Sequence, residues 1–425
     1  MGPRRSEVSR RGTRSEQGDP EGSPFFFGVR AVRRPVVRDA TAQVPVRGAA
    51  AAAVLVALLA AAGAAADPVR ATGIVLVAPD ASHLQALDCA DGRETASFAL
   101  PAPERSVVLA PQGDAAFVAA GGQLLRLRLP SLALQARAAL EPDIDSLVAS
   151  GGPDGIVLAA GSGRTPLSAR DPATLDSLHE YRLDEGTRAS VSSVVDRPQR
   201  SRFVIAFSDL DEVWEIDYSR DAPPVLRGLV HDYRMREAVE LPGRFTPRAF
   251  KVPGATRSLI AGSAPHEVLR IDASGALGVL NLNVRREIER PHVGSVPAPG
   301  RIAAWQGARS RGWVLADPAG STLRVLDASS WKLVEPMPVD GEVLAVAALD
   351  DGAVLLALDR AGRIALARAD VEARRSRDLV EGARSGQPPY RLVRGVGCTA
   401  LVDAGNRWIG GIRQGTGAAA PGRGS

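Results

Sequence analysis

The chain has 425 residues, a formal net charge of +4 and a sequence pI of about 9.5. Its basic character comes from residues 1–66, which carry ten Arg and five acidic residues and leave 42 basic and 43 acidic residues in the remainder. The charge therefore gives no support to nucleic-acid binding. The two cysteines, Cys89 and Cys398, lie in no Cys-Xaa-Xaa-Cys-His motif and no zinc-site spacing, which excludes a covalently attached c-type haem.

The amino-terminal segment is predicted to be a leader followed by a secretory signal. Residues 1–47 are rich in Arg, Pro, Ser and Gly without an amphipathic period, so they are interpreted as a disordered leader or a mis-assigned start. Residues 48–66 hold a fourteen-residue apolar run behind Arg47 and a cleavage pattern ending near Ala66. The run is short for a membrane span, which needs roughly 20 residues. We expect a cleaved signal and a secreted protein, with an uncleaved anchor as the alternative.

Residues 67–425 repeat one pattern, in which a strand ends in Leu-Asp, Ile-Asp or a similar pair before a turn of small residues. These markers are Leu87-Asp88, Leu129-Pro130, Arg170-Asp171, Ile216-Asp217, Ile271-Asp272, Leu326-Asp327 and Ala369-Asp370. Apolar residues alternate with small or polar ones, as half-buried strands require, and helical periodicity is nearly absent. Four short antiparallel strands every 40 to 50 residues are typical of a β-propeller blade.

The repeat predicts an all-β, eight-bladed β-propeller over residues 67–425. Seven markers give seven blades, and strand-like segments from Tyr390 to Ile412 supply an eighth, with seven blades as the alternative. This placement brings Cys89 in the first blade near Cys398 in the last. We expect either a disulfide across the ring closure, formed in an oxidising compartment, or two unrelated buried thiols.

Four of the five histidines lie in or beside turns that are expected to share one face of the propeller. His83 and His266 are assigned to turns between second and third strands, and His231 and His292 to connections between blades. Each alone is compatible with a solvated loop residue. His292 is singled out because Pro291 and Gly294 restrict the local backbone, so that the imidazole is predicted to face the central channel. Histidine suits both iron ligation and proton transfer near neutral pH.

Two marker spacings of 55 residues indicate extra loop length between blades four and six. The first contains His231, Arg234 and Arg236 and leads to Arg248. Guanidinium groups pair well with carboxylates, so a polycarboxylate ligand fits this segment, with a solvated charged loop as the alternative.

Three segments resemble the haem d1 propeller family: Phe203 to Asp217, His231 to Arg234, and Arg290 to Gly294. The family includes the d1 domain of cytochrome cd1 nitrite reductase and two related periplasmic proteins of d1 haem biosynthesis. The resemblance is strongest from Val191 to Asp327. Because no c-type haem motif is present, the chain is most similar to the biosynthesis type that consists of the propeller alone, the NirF type.

The resemblance implies a periplasmic protein that binds haem d1 or a d1-type tetrapyrrole precursor in a late maturation step for the reductase, in support of denitrification. His292 matches a histidine above the haem in the reductase, which implies a metal ligand or acid–base group. Arg248 falls near the position of the reductase's second active-site histidine, which argues against nitrite reduction. Whether the chain modifies or oxidises tetrapyrrole side chains, and so is an enzyme, stays open.

The shared face, the Arg-rich insertion and the resemblance together give a candidate ligand-binding set, and the resemblance also implies partners. The set is His292, Arg248, His231, Arg234, Arg236, His266 and His83. The partners are the tetrapyrrole, other d1 haem maturation proteins and apo nitrite reductase. The alternative function is a secreted propeller that serves as an interaction scaffold without a cofactor.

Overall fold

A computed structural model describes residues 73–227, 239–317, 320–383 and 386–414. These residues form β-strands and two short 3₁₀ turns, Pro198–Arg200 and Pro299–Arg301. Over the described ranges, no helix has the length and apolar character that crossing a bilayer requires.

The first four sheets follow one another along the chain. They comprise β1 (Ile74–Asp80), β2 (His83–Asp88) and β3 (Glu94–Ala99); β4 (Glu104–Leu109), β5 (Ala115–Ala120), β6 (Gln123–Arg128) and β7 (Ala133–Ala139); β8 (Ile144–Ala149), β9 (Val157–Gly163), β10 (Leu167–Arg170) and β11 (Ser177–Tyr181); and β12 (Ala189–Arg197), β13 (Arg202–Phe207), β14 (Glu212–Asp217) and β17 (Pro247–Lys251). A hairpin of β15 (Val225–Arg227) and β16 (Val239–Leu241) is inserted before β17. The third and fourth sheets are joined where β9 pairs with β12.

The remaining sheets repeat this order. They comprise β18 (Thr256–Ala261), β19 (Glu267–Asp272), β20 (Leu277–Asn281) and β21 (Arg286–Glu289); β22 (Ile302–Gln306), β23 (Arg311–Ala316), β24 (Thr322–Asp327) and β25 (Leu333–Pro338); β26 (Glu342–Ala348), β27 (Val354–Arg360), β28 (Arg363–Asp370) and β29 (Arg375–Ala383); and β30 (Arg391–Gly395), β31 (Cys398–Val402) and β32 (Trp408–Arg413). Each strand pairs antiparallel with the next one in its sheet, and the first and last sheets have three strands each.

The core lies between the sheets. Second strands such as β5 and β13 are apolar and almost wholly buried, because neighbouring sheets cover both of their faces, whereas the outer strand β7 is mostly exposed. Eight hydrophobic clusters separate successive sheets, and the last of them packs the first sheet against the eighth. The all-β propeller class is confirmed. The described sheets favour eight blades, and the blade count itself stays a prediction.

Closure between the first and last sheets is covalent as well as apolar. Cys89 and Cys398 form a disulfide, so the predicted cross-closure bond is confirmed and the alternative of two free thiols is wrong. Arg413 of β32 donates to Asp88 of β2 at 2.6 Å between Nη2 and Oδ2. Gly92 packs so closely on the Trp408 ring that a Cβ atom there would overlap it.

Strand direction decides which face of the ring each loop occupies. The first strands of neighbouring four-stranded sheets contact one another and so lie innermost, as β4 and β8 do. Because successive strands reverse direction, the turns between second and third strands and the connections between sheets share one face, here called the connection face. Turns between first and second strands, and between third and fourth strands, lie on the opposite face.

Candidate functional site

A cavity of about 1010 Å³ lies along the inner edges of the first, second and last sheets. Its apolar walls include Leu76 of β1, Val107 and Leu109 of β4, and Val393 of β30. Ligand-binding cavities are typically about 300 to 1,000 Å³, so this one has room for a large planar ligand. We refer to it as the central cavity.

Arginines bring positive charge to the central cavity. Arg394 donates to Asp350 at 2.5 Å between Nη2 and Oδ1, and Arg105 donates to the carbonyls of Pro142 and Ile144. Arg391 is exposed and makes no hydrogen bond or ion pair within the part of the chain that the structure describes. Its five donors are therefore available to an anionic ligand.

Asp196 is the best-supported acid–base group in the central cavity. Its carboxylate accepts from the Tyr218 hydroxyl at 3.0 Å and from the backbone N–H of Gly151 at 2.6 Å. Burial raises the pKa of Asp196, and this effect outweighs the hydrogen bonds that favour the carboxylate. The same burial, together with the neighbouring carboxylate, raises the pKa of Tyr218. A carboxyl group of this kind holds or releases a proton more readily near neutral pH than a solvated one.

The described lining of the central cavity contains no His, Cys, Met or Tyr. No group of three or more His, Cys, Asp or Glu side chains suited to a metal ion occurs in the described ranges either. The described lining offers carboxylates, but none of the soft or imidazole ligands that haem iron commonly takes.

His292 lies on the connection face, as expected, but not at the central cavity. Its side chain is exposed between buried Pro291 and Val293. Arg324 fixes the loop by donating to the carbonyls of Val293 and Ser295, the latter at 2.6 Å. Arg324 belongs to β24, the third strand of its sheet, so the loop is held against that sheet. His292 does not line the central cavity, and its place at the channel and its role as a metal ligand stay predictions.

His83 also lies on the connection face, at the exposed start of β2. In the three-stranded first sheet, β1 and β2 take the places of second and third strands, because β1 is buried like β5 and packs against β31. Its Nδ1 atom is 2.8 Å from the Ser82 hydroxyl and 3.4 Å from an Asp80 carboxylate oxygen. The Asp80 side chain accepts from the backbone N–H groups of Ser82 and His83. The imidazole is therefore part of a local turn.

His266 lies on the opposite face, so the prediction that it shares a face with His83 and His292 is wrong. It sits in the turn between β18 and β19, the first and second strands of their sheet. Arg197, at the end of β12, holds this turn by donating to the carbonyls of Gly262 and Pro265 at 2.9 and 3.1 Å. The imidazole Nε2 is 3.7 Å from Glu267.

Arg248 and His292 are not brought together. Arg248 is the second residue of β17 and pairs with Glu215, whereas His292 follows the end of β21. Fourth strands all run in the same direction, so the two residues lie toward opposite faces, and the predicted arrangement of His292 facing Arg248 is wrong. His231, Arg234 and Arg236 lie outside the described residues.

Sequence reasoning missed Arg391, Arg394, Asp196 and Asp350. The available signal was their position, since each lies in or directly after a first strand. First strands line the channel of a propeller, so charged residues in these strands are candidates even where no motif surrounds them.

Comparison with known proteins supports the family resemblance. No family model matches the chain. Over 160 residues, 37% of its length, the chain is 28% identical to dihydro-heme d1 dehydrogenase of Pseudomonas aeruginosa, and the match spans 28% of that protein. The chain therefore covers well under two thirds of this relative.

Two solved structures share the fold. Dihydro-heme d1 dehydrogenase NirN in complex with DHE superposes with a TM-score of 0.58 at 16% identity, over 82% of this chain and 74% of that one. BamB from Moraxella catarrhalis gives a TM-score of 0.51 at 10% identity, over 81% of this chain and 92% of that one. At these identities the likeness shows the fold alone.

Proposed function

We propose that this chain, a relative of the haem d1 propeller proteins, binds a d1-type tetrapyrrole in its central cavity. We further propose that it acts in the periplasm, in a late step of d1 haem biosynthesis for cytochrome cd1 nitrite reductase. The observation that carries the proposal is the 160-residue similarity to a protein named for its action on dihydro-haem d1. The likeness to the NirF type, and contacts with other maturation proteins and the apo-reductase, belong to the same proposal.

The chemistry of the central cavity fits such a ligand. Leu76, Val107 and Leu109 supply apolar walls against which a flat macrocycle loses water-exposed surface. Arg391, which has no described partner, and Arg394 would hold the acidic side chains, because a guanidinium fork accepts a carboxylate in a bidentate manner. When bound, the tetrapyrrole supplies the conjugated ring system whose side chains are carried or modified.

Asp196 and Tyr218 would then handle protons at the cavity wall. A carboxyl with a raised pKa, hydrogen-bonded to a phenol, donates or accepts a proton beside a ligand without bulk water. Iron ligation by His292, and ligand contacts by His83, His231, Arg234 and Arg236, remain part of the proposal. Arg248 and His266 lie toward the opposite face and are left out of it.

The test is a spectral titration of the purified chain with haem d1. We expect a saturable change in the absorption spectrum at micromolar haem. Combining Arg391→Gln and Arg394→Gln should weaken binding by about tenfold or more, since hydrogen bonds to charged groups contribute about 1.5–3 kcal/mol. Arg377→Gln, which removes an exposed arginine of β29, is the matched control and leaves the titration unchanged.

Two outcomes separate the parts of the proposal. If His292→Ala leaves the bound spectrum unchanged, His292 does not ligate the iron, and binding through the cavity stands. If the wild-type chain shows no spectral change at micromolar haem d1, tetrapyrrole binding fails and the interaction-scaffold alternative replaces it.

A further inference from the structure

A group of ionised side chains lies between the fourth and fifth sheets, toward the opposite face. We call it the arginine cluster. It comprises Arg200, Arg202, Arg248 and Arg285 together with Glu215 and Asp217. None of these residues lines the central cavity.

Glu215 is at the centre of the arginine cluster and is fully buried. Its carboxylate accepts from Arg202 at 2.8 Å, from Arg285 at 3.2 Å and from Arg200 at 3.3 Å. Asp217 accepts from the Nε atom of Arg202 at 3.1 Å. Three arginines thus share the two acids.

Arg248 is the arginine of the cluster that forms no ion pair with a described carboxylate. Its Nη2 atom donates to the carbonyl of Pro223 at 3.2 Å, and no carboxylate pairs with it among the described side chains. Burial lowers the pKa of Arg248, and the neighbouring charges of Arg202 and Arg285 lower it further, which together outweigh the attraction of Glu215 and Asp217. Four guanidinium groups therefore face two carboxylates, an arrangement that repels itself unless a further anion is bound.

The surplus charge is accessible from solvent. The Arg285 side chain is 39% exposed, and Arg248 is partly exposed beside it. Arg200 contributes a buried Nε donor that has no described partner, while its Nη1 atom donates to Asn283 at 2.7 Å. Partial desolvation and excess positive charge therefore coincide at the surface position of Arg248 and Arg285, and the unused Arg200 donor is buried within the same cluster.

We propose that the arginine cluster binds a doubly charged oxyanion at Arg248 and Arg285. The group is either a phosphate or the paired carboxylates of a small polycarboxylate. Guanidinium forks take both by bidentate hydrogen bonds. This site is separate from the central cavity and does not depend on tetrapyrrole binding.

Unfolding temperature measured at constant ionic strength tests the site, with inorganic phosphate and citrate as separate probes and chloride as the reference anion. We expect at least one probe to raise the unfolding temperature in a saturable manner, with a Kd below about 1 mM. Arg248→Gln weakens that binding about tenfold or more. Arg377→Gln removes the same charge from exposed β29 and leaves binding unchanged.

The probes distinguish the two ligand types, since a response to phosphate alone or to citrate alone identifies the group that fits. In low salt without either probe, Arg248→Gln raises the unfolding temperature, because it relieves repulsion from Arg202 and Arg285. Arg285→Gln repeats the binding test at the other fork. The proposal is overturned if neither anion stabilises the wild type, or if both variants bind the anion as the wild type does.

Discussion

Loss of the Cys89–Cys398 bond should destabilise the protein through its unfolded state. The two residues are 309 positions apart, so their bond ties together most of the described chain. The chain-entropy model gives about 6 kcal/mol for a loop of this length, with an expected range of about 3 to 6 kcal/mol because measured effects commonly fall below the model. With about 2 cal/mol/K of unfolding entropy per residue, this corresponds to a fall of about 4 to 9 °C in unfolding temperature.

The folded ring should nevertheless stay closed without the disulfide. Val75 and Val77 of β1 pack against Ala400 and Val402 of β31, and all four are buried. These contacts are independent of the sulfur atoms. The Cys89→Ala, Cys398→Ala double variant is therefore expected to keep the circular dichroism spectrum of the wild type and to unfold earlier.

Calorimetry of three samples separates the covalent effect from packing. The oxidised wild type unfolds highest, and the reduced wild type and the double variant unfold lower by similar amounts. The difference in unfolding temperature between the reduced wild type and the double variant reports the packing lost with the sulfur atoms. Reductant added to the double variant should change nothing. If the double variant unfolds within about 1 °C of the oxidised wild type, closure rests on the apolar contacts alone and the entropy argument is refuted.

Two further predictions concern pH. His179 lies 4.5 Å from the Tyr181 ring and 5.7 Å from the Phe245 ring, and burial lowers its pKa below 6.5. The unfolded chain then binds the proton more readily than the folded chain, so stability falls as pH drops below about 6.5. His179→Gln should therefore reduce the dependence of the unfolding temperature on pH between about pH 7 and 5. An unchanged slope would contradict this assignment. Burial alone would raise the pKa of Asp403, but hydrogen bonds, chiefly from Arg407, outweigh it and lower the pKa to about 2. The stabilisation of the folded state by Asp403 is complete above about pH 4 and is lost toward pH 2. Asp403→Asn should therefore lower the free energy of unfolding by about 1 to 2 kcal/mol near neutral pH. It should also weaken the acid unfolding transition followed by circular dichroism.

The repeat was predictable because the residues that mark it have a local physical role. Asp88, Asp217 and Asp327 each end a third strand, and each side chain accepts a backbone N–H two residues further on, at 2.8, 3.0 and 3.1 Å. Aspartate favours this turn because its short carboxylate replaces a backbone acceptor. Periodic strands and their turns are thus readable from short stretches of sequence. Placing the first and last units together brought Cys89 near Cys398, but it did not decide between a disulfide and two free thiols.

The central cavity was not predictable in the same way. Its wall combines β1, β4 and β30, which are distant in sequence and meet only when the ring closes. Arg391 and Asp196 carry no local motif, since their significance comes from the inner position of their strands. Motifs in the sequence therefore favoured turn histidines over channel residues.

The error at His266 shows what a turn motif does and does not determine. Asp272 makes the same side-chain bond to the backbone as the other markers, accepting from Ser274 at 2.9 Å, but it ends the second strand of its sheet. The motif identifies a hairpin and not its place in the blade. Because each strand reverses direction, a count that is wrong by one strand moves every loop of that blade to the other face. Between Asp217, which ends a third strand, and Asp272, which ends a second strand, there is one strand fewer than in a full repeat. The inserted hairpin of β15 and β16 adds enough residues to make up for that strand, so the marker spacing does not reveal the error. Assignment of a face in a propeller therefore requires every strand to be counted from a fixed inner strand, and marker spacing alone is insufficient.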